Sequence, residues 1–306
     1  MINVVNVSKS FGRVAALRDV SLLIEPGERV AFVGSNGSGK TTLLRSLLGL
    51  LRISGRISIN GVDVAKEPEL ALRGVAYIPQ VAPPIDASVA EVVRAHSTLR
   101  GIDPAFVTAR AARLGLDLAI VKGSRFRDLS GGMRQKLLSA LALATDAKIL
   151  ICDEPTANLD ASARSAFFEM ISERPRDHVV ILCSHRLEEV QKLVDRVVEL
   201  AEGKLLRDAS LSEMMTELCT YRVEVELSEA SLTTSQRLQG WGFRPDGPRR
   251  FSALLNQGEK LSVLARILRE LEREVADISV TQLRDFPATG SEHARDSAPR
   301  LRGVAS

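Results

Sequence analysis

The chemistry of this chain is concentrated where a lysine and a threonine follow three glycines, in the string GSNGSGKTT at residues 34–42. Gly34, Gly37 and Gly39 have no Cβ, so the backbone can turn successive N–H groups inward around a phosphate. Lys40 adds a full positive charge, and Thr41 a hydroxyl placed to hold Mg²⁺. The string fits the phosphate-loop pattern G-x-x-x-x-G-K followed by Ser or Thr, and it also brings Ser35, Asn36, Ser38 and Thr42 into reach of a nucleotide. A glycine-rich turn that binds nothing would show the same letters, so the flanks decide. Val30, Ala31, Phe32 and Val33 read as a short buried strand before it, and Leu43, Leu44, Leu47 and Leu48 recur at helical spacing after it. The helix aims its positive dipole end at the same anion, which makes this a nucleoside triphosphate site.

Two carboxylates complete the chemistry. The apolar run 148–152 ends in Asp153, Glu154 and Pro155, and carboxyl ends of buried strands are where α/β sheets bind ligands. Asp153 suits the Mg²⁺ that bridges the phosphates, and Glu154 suits a general base that polarises an attacking water. A second apolar run, 179–183, ends in Ser184 and His185, which would lie beside those carboxylates and reach the γ-phosphate. A lone histidine at a strand end is otherwise a hydrogen-bonded structural residue. Ser130, Gly131 and Gly132 precede a strongly apolar helix running from Met133, and open N–H groups at a serine-capped helix start suit a second anion. An ordinary capped helix reads the same way. Phe11, in a Ser-Phe-Gly turn, could stack on a base or pack into the local core.

The elements that must position these groups follow from the rest of the chain. Residues 2–7 look like an edge strand and 15–24 contain a second one, while Asn60-Gly61 between apolar runs signals a hairpin. Residues 75–78 are a further strand, and 83–144 change to helical patterning. Residues 197–201 close the sheet, 204–220 read as a linker, and 221–288 read as a small α+β domain, half of a ferredoxin-like sandwich. In it Leu261, Leu264, Ile267, Leu268 and Leu271 form one stripe of an amphipathic helix. Residues 289–306 are small, polar and basic, the composition of a disordered tail.

The ordered motifs resemble the nucleotide-binding subunit of ATP-binding cassette (ABC) transporters over residues 1–203, with a helical subdomain at about 83–144. GSNGSGKT is similar to its Walker A motif, Gln80 to its Q-loop glutamine, LSGGM at 129–133 to its signature, and ILICDE to its Walker B motif. Asn158, Leu159 and Asp160 resemble the D-loop, and His185 the switch histidine. Met133 departs from the commoner glutamine but leaves Ser130 and both glycines in place. The resemblance implies an α/β P-loop NTPase fold with a mixed sheet core, an antiparallel β subdomain and a helical subdomain, followed here by the small α+β domain. It implies ATP and Mg²⁺ as cofactors, with Thr41, Gln80 and Asp153 around the metal and Glu154, His185 and Lys40 in catalysis. Phe11 stands where the family stacks adenine, and Asp160 where it couples two sites. The implied partners are a second cassette, as a homodimer packed head to tail, and an integral membrane permease. The 83–144 insert would touch that permease. The C-terminal extension and PPIDASVAEVVRAHSTLRG look like ATPases paired with type-2 exporter permeases. GMRQKL with VVILCSH is similar to the cassette of the system that matures nitrous oxide reductase, which would imply copper or sulfur processing.

Composition narrows the rivals. With 41 basic and 38 acidic residues interspersed, the net charge of +3 carries no patch for a polyanion, so no nucleic acid partner is expected. A soluble cassette acting on nucleic acid or a ribosome is the alternative, and it lacks a coiled-coil insert and a zinc-type cysteine set. No apolar run reaches the ~18 residues of a membrane span, and the N-terminus does not read as a secretory signal. The expectation is a cytoplasmic chain, peripheral on the inner face of the membrane. Cys152, Cys183 and Cys219 read as reduced thiols, the first two in the core.

Overall fold

The computed structural model describes residues 1–184, 187–218 and 220–283. The chain opens with two long antiparallel strands, β1 (Ile2–Phe11) and β2 (Val14–Ile24). β3 (Arg29–Val33) then leads through the glycine loop into helix α1 (Lys40–Leu47). A hairpin follows, β4 (Ser54–Ile59) and β5 (Val62–Asp63), whose turn holds Asn60 at φ 50° and Gly61 at φ 83°. Two left-handed residues in succession are what the Asn-Gly pair favours, which is why this hairpin was readable. Next come the short α2 (Pro68–Leu72) and β6 (Val75–Ile78).

The helical part contains α3 (Val89–Arg100), α4 (Pro104–Arg113), α5 (Leu118–Val121) and α6 (Gly131–Leu143). Local chemistry fixes their starts: Ser88 and Glu91 form a capping box on α3, Asp103 caps α4 ahead of Pro104, and Ser130 caps α6. The chain then alternates through β7 (Ile149–Asp153), α7 (Ala161–Ser172), β8 (Val179–Cys183), α8 (Leu187–Val190) and β9 (Arg196–Ala201). After β9 come β10 (Lys204–Ser210) and α9 (Leu211–Leu218).

Six strands form one sheet in the order β10-β9-β3-β8-β7-β6, parallel except for the antiparallel edge β10. Both faces are covered, so β3, β7 and β8 are buried throughout and read as unbroken apolar runs. Ala31, Leu150, Cys152, Val180 and Leu182 pack against the layer of α3, α4, α6 and α7 residues. Val30, Phe32, Ile149, Ile151, Ile181 and Cys183 pack the other way, on α1 and on the antiparallel sheet β2-β1-β4-β5. The result is the mixed α/β core, antiparallel β layer and helical layer of a P-loop cassette.

The chain ends in β11 (Thr220–Leu227), α10 (Leu232–Gly240), β12 (Arg244–Pro245), β13 (Arg250–Leu255), α11 (Gln257–Glu270) and β14 (Val275–Leu283). Their sheet is antiparallel with the order β12-β13-β11-β14. That is the whole βαββαβ ferredoxin-like arrangement, not half of it. Val223, Val225, Leu238, Phe251 and Ile267 make its separate core.

Several sequence expectations change. β1 is an inner strand lying between β2 and β4, not an edge, and Phe11 ends it instead of sitting in a turn. Helix α6 begins at Gly131, because Ser130 caps it directly. The linker 204–220 contains β10 and α9, since Lys204–Ser210 finds an unpaired edge on β9. Leu261 and Leu268 are 63% and 59% exposed, so the apolar stripe of α11 divides between core and surface. His185, Cys219 and residues 289–306 lie outside the described residues. That division gives a direct stability contrast. Ile267→Ala, at a fully buried position, should cost about 2–5 kcal/mol. Leu261→Ala should cost under about 0.5 kcal/mol. Urea unfolding followed by the emission of Trp241, which packs against this core, reads both.

Candidate functional site

The glycine loop is held by close approach on two sides. A Cβ on Gly34, at φ 142°, would lie 2.2 Å from the Leu200 carbonyl oxygen, and one on Gly39, at φ 108°, would lie 2.6 Å from that of Ala16. β2 and the end of β9 thus wall in the loop, and only glycine fits there. Gly203, in the turn between β9 and β10, donates its N–H to Ser38 O at 3.0 Å and accepts from Arg18 N at 2.7 Å. Within this frame Gly37 is at φ 81° with open space around it. Ser38 is buried and Ser35 half-buried, whereas Asn36 and Gly37 are exposed. Lys40, only 7% exposed, donates from Nζ to Gly34 O at 2.7 Å and Ser35 O at 3.0 Å. The ammonium therefore stands in the cradle of its own loop.

Thr41 connects the loop to the second half of the site. Its Oγ1 donates to Asp153 Oδ1 at 3.1 Å. Asp153 is 1% exposed and its Oδ2 is buried with no hydrogen-bond partner. Burial pushes its carboxyl above the usual range, the Thr41 hydrogen bond pulls it down, and the neighbouring Glu154 adds to the rise. A buried carboxylate oxygen without a donor, beside a threonine hydroxyl and a lysine, fits the requirements of a hard divalent cation. Glu154 follows at φ 48°, with its N–H donating to Cys183 O at 3.1 Å. A non-glycine residue in the left-handed region is uncommon, and here it turns the chain out of the sheet immediately after the buried carboxylate. Ser184, buried, donates its N–H to Phe32 O at 3.3 Å, so the end of β8 closes the floor between β3 and β7.

The remaining candidates are dispersed. Gln80 is exposed just past β6. Phe11 is 51% exposed at the end of β1, with Lys9 Nζ 5.0 Å above its ring. Ser130 accepts the Met133 N–H at 3.2 Å, which leaves the first N–H groups of α6 turned outward at exposed Ser130 and Gly131 and half-buried Gly132. Among the described residues, no hydrogen bond or ion pair joins 130–132 to 34–42. Asp160 caps α7, accepting from Ala163 N at 2.8 Å, and pairs with Lys136 Nζ at 2.7 Å. That lysine holds its carboxyl below the usual range.

Sequence reasoning missed the supports. Tyr77 on β6 has its phenol pushed up to about 12 by burial and then by the Asp153 carboxylate, while Arg45 on α1 pulls it down. Gln135, 2% exposed on α6, donates from Nε2 to Pro155 O at 3.1 Å and Pro79 O at 3.4 Å. A lone amide on the inward face of an apolar helix was the available signal.

With this geometry established, similarity gives the class. The family described as "ABC transporter" matches residues 17–157. "ABC transporter ATP-binding protein NatA" of Bacillus subtilis is 36% identical over 207 residues, covering 66% of this chain and 84% of that protein. "Nod factor export ATP-binding protein I" of Rhizobium etli is 33% identical over 221 residues, covering 70% and 69%. Among solved structures, "Structure of ATP binding subunit of ABC transporter" superposes with a TM-score of 0.64 at 28% identity, covering 71% of this chain and 92% of that one. The chain belongs to the ABC transporter family of ATP-binding cassettes and is an ABC-type ATPase. Among the described residues no helix is long and apolar enough to cross a membrane.

The loop geometry predicts a contrast between two glycines. Gly34→Ala forces Cβ against a backbone oxygen at 2.2 Å and should abolish binding of a fluorescent ATP analogue. Gly37→Ala meets nothing, so only the left-handed backbone opposes it, a cost of about 1–2 kcal/mol, and measurable binding should persist.

Proposed function

We propose that this chain binds ATP–Mg²⁺ at residues 34–42 and Asp153, and that two copies close head to tail around two nucleotides to drive a separate membrane permease of the export type. The observation that carries the reading is the pairing of a walled glycine loop with a buried carboxylate whose Oδ2 has no partner, joined through Thr41. Thr41 and Asp153 would hold the metal, with Gln80 completing its surroundings, and the metal would neutralise the phosphate charge. Lys40 and the N–H groups of the loop bind and orient the phosphates. Glu154 takes up the proton of the attacking water, and His185 contacts the γ-phosphate. Phe11 offers one open ring face to the adenine. Ser130, Gly131 and Gly132 serve the nucleotide of the neighbouring copy, and among the described residues no hydrogen bond or ion pair joins them to their own loop. Asp160 lies between the two sites.

An ATP that touches both copies only in the closed arrangement favours that arrangement, and hydrolysis removes the advantage. Export is favoured by the relative named for Nod factor export. The finer likeness to the nitrous oxide reductase system gains nothing from the relatives named above. Cys152 and Cys183 are fully buried, with thiols raised by desolvation, so they offer no ligands for copper. Copper or sulfur processing is not part of this proposal.

Glu154→Gln should retain ATP binding and lose turnover by at least about 100-fold. Turnover at the native rate in that variant would remove Glu154 from the chemistry. The partner is tested by capture from detergent-solubilised membranes of the source cell, using tagged Glu154→Gln chain with ATP and Mg²⁺. A multi-span membrane protein should be recovered. Recovery of ribosomes or nucleic acid alone would favour the soluble alternative.

A further inference from the structure

Helix α6 carries Ser130 at its start and lies against the segment that follows Glu154. Three contacts fix that arrangement within two turns of the helix. The buried Gln135 amide spends one N–H on Pro155 O and the other on Pro79 O, which are adjacent in sequence to Glu154 and Gln80 respectively. Lys136, whose side chain is 15% exposed, sets Nζ 2.7 Å from Asp160 Oδ2, while the other oxygen of Asp160 caps α7. A Cβ on Gly132 would lie 3.0 Å from Asn158 O, so the helix backbone itself rests close to the same segment.

The opposite side of this segment is also tied. Glu189 on α8 accepts from Thr156 Oγ1 at 3.3 Å and from Arg164 Nη1 at 3.3 Å. Residues 155–160 are thus held between α6 on one side and α7 with α8 on the other. An α-helix is stiff over the roughly 8 Å of rise that separates Ser130 from Gln135. A shift at its first turn is therefore delivered to Pro155 and Asp160 with little loss. Moving the helix alone would strand the buried Gln135 amide, which is costly, and would part Lys136 from an Asp160 side chain that is 58% exposed, a smaller loss.

We propose that Gln135 and Lys136 are positioning residues that lock the 155–160 segment to α6, so that engagement of Ser130 and Gly132 by the neighbouring copy's nucleotide sets the placement of Glu154 in the cassette's own site. This rests on the two-copy reading above and goes beyond it by naming the route between the sites. Among the described residues, no hydrogen bond or ion pair joins either side chain to residues 34–42, so neither is placed to hold a nucleotide in the cassette's own loop. Their effect is on cooperation between sites.

The test uses the full chain and steady-state ATP hydrolysis as a function of ATP concentration. Wild-type protein should show a Hill coefficient of about two. Gln135→Met and Lys136→Met should each lower it to about one and reduce kcat about tenfold, with binding of a fluorescent ATP analogue to the separate monomers changed less than about twofold. Lys136→Arg, which keeps the ion pair, should restore the coefficient. A merely structural role would lower activity in proportion to folded protein and leave the Hill coefficient alone. Should Gln135→Met fail to fold, Lys136→Met at its half-buried site carries the test. Unchanged cooperativity in Lys136→Met beside a cooperative wild type overturns the proposal and leaves the two-copy reading intact. A Glu154→Gln chain that stays at the mass of one copy with saturating ATP and Mg²⁺ overturns the two-copy reading and this proposal with it, whereas a chain that pairs but whose wild type shows a coefficient of one overturns this proposal alone.

Discussion

Asp153 is a carboxylate at 1% exposure with one oxygen donated to by Thr41 and the other facing no donor. Left uncompensated, such a group destabilises the fold by kilocalories, so the surrounding architecture has to maintain it. β7 is placed second from the edge of a sheet covered on both faces, which delivers Asp153 to the carboxyl end of that sheet. β3 brings the glycine loop to the same end, and α1 starts there with Lys40 and Thr41. Replacing any one of these three elements by a different local structure would leave a buried charge with nothing to bind.

The same constraint explains where strain is tolerated. Gly34 and Gly39 sit against backbone oxygens in left-handed conformations, and Glu154 adopts φ 48° with a side chain present. Each departure lies at the rim of the proposed phosphate site, and each is held by strands that are otherwise regular. Strained residues persist where the surroundings over-determine them. Here the walls are β2, the end of β9, and the N–H of Glu154 bonded to Cys183 O.

Much of this was legible because its physical requirements are local. Glycines at fixed spacing between a buried strand and a leucine-rich helix admit few readings, and strands covered on both faces declare themselves as apolar runs. The Asn60-Gly61 turn was equally self-contained. What escaped depends on partners distant in sequence. Lys204–Ser210 alternates half-buried with exposed residues, a pattern that says nothing until β9 supplies an edge. Leu261 and Leu268 share the periodicity of Ile267, but only the packed sheet decides which of them is covered. Gln135 and Tyr77 are single polar residues on apolar elements, and their value lies in what they meet: Pro79 and Pro155 carbonyls for one, Arg45 and the field of Asp153 for the other.

The most direct test of the account is the mass in solution of the Glu154→Gln chain, by light scattering, with and without ATP and Mg²⁺. Head-to-tail pairing predicts a shift from the 33.3 kDa of one chain to twice that mass when ATP and Mg²⁺ are both present, and no shift when Ser130→Arg is added. A mass that stays at one chain under saturating ATP and Mg²⁺ would contradict it.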